Sequence, residues 1–161
     1  IRKIKALLAI ISTEVPMLVD ITKLATLTGI ARTTMLAYLQ YLHEAKLIRL
    51  LYSDDLSVKK MQKPDKILME NTNLLQALSL QVPNIGTMRE TFFCNQLGYT
   101  HQVEYNKRGD YLIDHKYVFE IGGKAKDGKQ VANMENAYIA SDECDYPIGN
   151  KLPLWLFGLM Y

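Results

Sequence analysis

Apolar residues recur at helical spacing through the first third of the chain. Ile4, Leu7, Leu8 and Ile11 share one face over residues 3–11, which predicts a first helix. Val15-Pro16 must end it, because proline lacks the amide that a continuing helix needs. Asp20 is a suitable N-cap for a short second helix with Ile21, Leu24 and Ala25 inward, and Gly29 stands where a left-handed C-terminal residue is wanted. A third helix is predicted from Arg32 to Ala45, with Met35, Leu39 and Leu42 as its inward stripe and Tyr38 beside them. Leu47–Tyr52 has strand composition, Ser53-Asp54-Asp55 is a turn, and Lys66–Met69 reads as the next strand. Helix, short helix, glycine turn, longer helix and a strand pair is the order of a winged helix-turn-helix, assigned to residues 1–66.

The pattern then changes. Asn71–Gln81 carries Leu74, Leu75 and Leu78 on one helical face, and Val82-Pro83-Asn84 is a linker. A helix is predicted from about Thr87 to Leu97, stopped by Gly98. Thr87-Met88-Arg89-Glu90 has capping-box spacing, with Glu90 reaching back to the helix start. Three strand-like segments come next, 101–105, 110–114 and 117–121, then a further one at 136–140. Pro153 is placed to open a last helix over 154–160, in which Trp155 and Phe157 read as core. Residues 67–161 are thus expected to form a small α/β sandwich.

Composition supports two globular units: hydrophobic residues are 48% and charged residues 22% of 161. No stretch approaches the roughly 18 apolar residues of a membrane span. No signal peptide is visible either, so the expected location is the cytoplasm. The first residue is Ile1 rather than Met, which predicts an excised fragment or missing upstream residues. Cys94 and Cys144 are expected to be reduced thiols, since neither has a metal-ligand spacing to a second Cys or His.

Charge is uneven. Residues 1–66 hold 11 Lys/Arg against 6 Asp/Glu, and residues 67–161 hold 8 against 11. The basic half suits phosphate contacts. Arg32, Thr33, Leu36 and Gln40 on the third helix, with Lys59, Lys60 and Lys63 on the wing, are the candidate nucleic-acid contacts; Arg32, Lys59, Lys60 and Lys63 are the cationic ones. A rigid adaptor between an upstream module and the second unit is the plainer reading of the same segment.

In the acidic half the informative pair is Asp110 and Glu120. Two antiparallel strands joined by a tight turn bring both to one sheet end, where two carboxylates and the Ile121 carbonyl would make a hard oxygen site for Mg²⁺. Glu90 is a third candidate metal ligand. Lys124, with Lys126 next, would orient a water or stabilise phosphorane charge. Gly122-Gly123-Lys124 is no phosphate loop, because Ala125 stands where Ser or Thr is required. The chain should therefore not bind ATP itself. His43, His101 and His115 are isolated and read as structural or exposed.

Three segments carry a resemblance: Arg89–Leu97, Gly109–Asp114 and Phe119–Lys124, supported by Lys63–Leu68, Asn71–Leu74 and Gly149–Gly158. Together they resemble the C-terminal region of a large prokaryotic ATPase family, in which an AAA-type P-loop domain precedes a domain of unknown function. The resemblance implies a winged helix followed by a PD-(D/E)xK restriction-endonuclease-like sandwich. It implies that Asp110 and Glu120 fall on the acidic positions, and that ATP is used only by an upstream domain of the same chain. The lysine expected two residues after the glutamate is replaced by Gly122. The first expectation is accordingly a nucleic-acid-binding or regulatory region of an ATPase, with DNA as candidate partner. The alternatives are an Mg²⁺-dependent DNA nuclease using Asp110, Glu120 and Lys124, and a protein-interaction platform.

Overall fold

The computed structural model describes residues 2–53 and 63–160. The fold is mixed α and β, with six helices and two sheets among the described residues, and it divides into Ile1–Asn84 and Ile85–Tyr161. The boundary expected after Lys66 therefore falls at Asn84. Lys66 opens a strand that belongs wholly to the first unit, and the helix after it packs there too.

The first unit runs α1 (Arg2–Glu14), β1 (Met17–Leu18), α2 (Ile21–Thr28), α3 (Arg32–Glu44), β2 (Ile48–Leu51), β3 (Lys66–Met69) and α4 (Thr72–Leu78). Its sheet is antiparallel in the order β1-β3-β2, with Met17 opposite Ile67 and Leu50 opposite Ile67 on the other side. The apolar stripes point inward as spaced: Leu7, Ile11, Met35 and Leu39 are fully buried, as are Ile48, Ile67 and Leu68 of the sheet. Ser12 donates to the Leu78 carbonyl at 2.8 Å, tying α1 to α4. Strand β1 was not legible, because two residues are too few to show a period.

Asp20 caps α2 as expected, accepting from the amides of Thr22 at 2.9 Å and Lys23 at 3.0 Å. The Lys23 amide, outweighing a loss of hydration, holds the exposed Asp20 carboxyl below its ordinary range. A carboxyl depressed on folding contributes stability that is present above its unfolded value, 3.8, and is lost as pH falls through the folded one. Asp20→Ala should thus lower the urea midpoint at neutral pH, and the gap to wild type should narrow in acid below 3.8. A gap of constant size across that range would show that the cap is not charge-assisted. Gly29 ends the same helix at φ 63°, the left-handed conformation that a side chain disfavours.

The second unit runs α5 (Ile85–Leu97), β4 (Val103–Tyr105), β5 (Tyr111–Ile113), β6 (Tyr117–Gly122), β7 (Ala137–Ser141), β8 (Lys151–Pro153) and a 3₁₀ helix (Leu154–Leu159). The sheet order is β4-β5-β6-β7-β8. The first three strands form the expected antiparallel meander, whereas β7 pairs with β6 and β8 with β7 in parallel. Pro153 both ends β8 and stands at the N-cap of the following helix, which is 3₁₀ rather than α.

Side-chain alternation gives the sheet two apolar faces. On one, Phe93 of α5 stacks with Tyr111 and meets Phe119 and Phe157 at centroid distances of 5.9, 5.1 and 4.8 Å. On the other, Leu112, Val118, Ala137 and Ile139 pack against Val131 and Met134 of the β6–β7 connection. Phe157 is core as read, but Trp155 is 55% exposed, since a three-residue repeat cannot turn both rings inward.

Candidate functional site

Two places gather the residues singled out by sequence. The first is at the start of α3. Arg32 and Thr33 of its first turn, Thr22 of α2 and Lys63 line one cleft of about 240 Å³. Leu36 and Asp20 complete its wall. Arg32 and Lys63 are both exposed. Gln40, further along α3, is occupied with Glu44 at 2.9 Å. Lys59 and Lys60 lie outside the described residues.

The second place is the end of the meander. Tyr111 pairs with Phe119 at the end of the β5–β6 ladder, and Asp110 stands just outside it, next to the strand that carries Glu120. The Asp110 amide donates to the Phe119 carbonyl at 2.8 Å, and its carboxylate accepts from the Ile121 amide at 2.6 Å. Glu120 is buried, at 2% exposure. Its Oε1 receives the ammonium of Lys126 at 2.9 Å, and its Oε2 is buried with no hydrogen-bond partner. Burial pulls the Lys126 ammonium down, but the hydrogen bond and charge of Glu120, with the charges of Asp110 and Glu90, raise it above its ordinary value.

Lys126, and not Lys124, is therefore the base beside the acid pair. The reason is steric. Gly122 has no side chain, and a Cβ built there would stand 2.9 Å from the Cγ and Cδ of Lys126. The stem of Lys126 fills that space, helped by a turn in which its amide donates to the Gly123 carbonyl at 3.0 Å. Lys124 is exposed, and its carbonyl accepts from the Lys151 ammonium at 2.6 Å.

Glu90 does not cap its helix. Helix α5 starts at Ile85, two residues before the expected N-cap, which leaves Thr87 buried within it. Glu90 instead accepts the hydroxyl proton of Tyr111. Burial, followed by the nearby Cys94 and Glu90, pushes the Tyr111 phenol well above its ordinary range, so it remains a donor.

These residues do not fit the divalent ion that the resemblance implies. Three of their carboxylate oxygens are already engaged: Glu120 Oε1 by an ammonium, an Asp110 oxygen by a backbone amide, a Glu90 oxygen by a phenol. Among the described residues no three His, Cys, Asp or Glu side chains stand close enough to hold a metal.

The histidines each have a partner. His101 meets Asp114 at 2.7 Å, His115 meets Glu104 at 2.9 Å, and a ring nitrogen of His43 lies 3.1 Å from the Ile48 carbonyl. Leu97, Ile113, Tyr117, Phe119 and Tyr138 line an apolar groove of about 370 Å³, with His101 and Asp114 as polar members of its lining. The groove was not legible because its residues come from six separate elements. No described helix is long and apolar enough to cross a membrane. Comparison with protein families, with curated proteins and with solved structures finds no match for this chain.

Proposed function

We propose that this chain is a nucleic-acid-binding or regulatory region, of the kind the resemblance places behind an AAA-type ATPase domain. The first unit is the binding module. The observation that carries the reading is the convergence of Arg32 and Lys63 on one cleft at the start of α3. Two features support it. The order helix, strand, helix, helix, strand, strand, with a sheet ordered β1-β3-β2, is compatible with the expected winged helix-turn-helix. The first turn of α3 is also where such a module meets a nucleic-acid groove. Asp20 opposes phosphate in the same cleft, but its carboxylate is committed to two amides of α2.

With one cationic residue on α3, recognition is of the phosphate backbone rather than of bases. Fluorescence anisotropy with a labelled DNA duplex provides the test. Binding should be weak and fall steeply with salt, and Arg32→Ala/Lys63→Ala should weaken it and reduce the log–log salt slope by about 2. An unchanged slope in the double variant would remove this cleft from the interface. A nucleotide analogue should not bind, because neither unit has a phosphate loop.

The nuclease reading asks Asp110 and Glu120 to share one hydrated cation. Among the described residues no three carboxylate, His or Cys side chains stand close enough to hold one, which favours binding over cleavage.

A further inference from the structure

We infer that the apolar groove of the second unit binds a small, uncharged aromatic compound bearing one hydroxyl group, which donates to Nε2 of His101. The inference concerns the second unit alone and stands whether or not the first unit binds nucleic acid.

The groove has the make-up of a small-molecule site: a concave apolar lining with few polar groups, at about 370 Å³. Four of its lining side chains are aromatic, Tyr117, Phe119, Tyr138 and Phe157. Phe119 and Tyr138 stack at 5.6 Å, and Phe157 meets Phe119 edge-on at 5.5 Å. Such a wall offers both ring faces and ring edges, which suits a flat aromatic guest.

The polar members select what that guest carries. Asp114 is fixed by its neighbours: its amide donates to the Gln102 carbonyl at 3.0 Å, and its Oδ1 accepts from the Gln102 amide at 2.9 Å. Its Oδ2 stands 2.7 Å from Nδ1 of His101. The bond to His101, ahead of that to the Gln102 amide, holds the Asp114 carboxyl below its ordinary range. An ionised carboxylate only accepts, so the hydrogen between them is on Nδ1. In the neutral imidazole Nε2 is then the acceptor, and a hydroxyl is the group that complements it. The backbone amide of His101 is tied to the Leu97 carbonyl at 2.8 Å, which holds the residue at both ends. The Asp114 charge disfavours an anionic guest in the same groove. Lys116, which could offset that charge, is outside the lining, its ammonium 4.9 Å from the centre of the Tyr117 ring.

The experiment titrates the whole chain with p-cresol, toluene and p-toluate, followed by amide chemical shifts at one mildly alkaline pH and one ionic strength. p-Cresol should bind roughly five- to tenfold more tightly than toluene, the worth of one hydrogen bond, and p-toluate should bind weakest. His101→Phe keeps a ring in the lining but removes Nε2, so it should bring p-cresol down to the level of toluene and leave toluene unchanged. Asp114→Asn removes the charge and offers the imidazole an amide hydrogen, so it should shift preference from p-cresol towards p-toluate. Asparagine tolerates the left-handed backbone of this position, φ 51°, and this variant carries the test alone if His101→Phe does not fold. Failure of all three probes to bind would overturn the inference, as would equal affinity for p-cresol and toluene. Tightest binding of p-toluate to the wild type would give the groove to anions and equally refute it. A preference unchanged in the variants would place the binding away from His101.

Discussion

Replacing Phe93 by alanine is expected to lower the stability of the second unit by about 3–5 kcal/mol, enough to unfold much of it. Phe93 is fully buried and touches three other rings, so truncation removes a large apolar surface and three ring contacts at once. Two of those rings, Tyr111 and Phe119, are the neighbours in sequence of Asp110 and Glu120. The damage should therefore reach the acidic cluster, although Phe93 is not part of it. Trp155, the only tryptophan, sits two residues from Phe157 and reports on this unit. The check is its fluorescence during urea unfolding. A midpoint shift worth less than about 1 kcal/mol would mean that the neighbouring rings close over the void.

Glu70→Ala should cost the first unit a similar amount, about 3–5 kcal/mol. Arg49 and Glu70 meet at 2.6 Å with side chains only 10% and 3% exposed. Their partnership is incomplete, because Arg49 Nε and Glu70 Oε2 are buried without hydrogen bonds. Removing one partner strands the other charge in the core, while removing both removes the problem. Arg49→Met/Glu70→Leu should accordingly recover most of the loss, and isosteric apolar pairs sometimes exceed the original stability. Thermal unfolding followed by circular dichroism across the double-mutant cycle separates these outcomes. If the double variant is as unstable as Glu70→Ala, shape at this site matters more than charge.

The legible parts of this fold were those written locally. The stripe Met35, Leu39, Leu42 is one helix face, and Asp20 and Gly29 carry the chemistry of a start and a stop. The meander could be placed because its turns are polar and its strands apolar. The hidden parts depended on partners distant in sequence. Lys66–Met69 is a run of four buried residues that would suit either unit, and only its pairing with β1 and β2 assigns it. Ile85-Gly86 lies before the expected helix start, yet a glycine in a helix's first turn costs little where amides have no partner within the helix anyway. Strand β8 has three residues and ends in proline, so no alternation could announce it.

The acid pair was legible from its hairpin, but its lysine was not. Counting along the chain from Glu120 favours Lys124, whereas the space vacated at Gly122 selects Lys126. Substitution of a glycine for the expected lysine was the visible signal. Its meaning lay in which later side chain could fold back into the gap.

The two outer strands of the larger sheet bear on behaviour at high concentration. Strands β4 and β8 are the edges, each of only three residues, and β8 ends at Pro153, which has no amide to offer a neighbour. Lys151, at the other end of β8, turns its ammonium onto the chain's own carbonyls. Short, proline-ended, lysine-bearing margins give a foreign strand little to pair with. The sheet is thereby guarded against growing from copy to copy into fibrils.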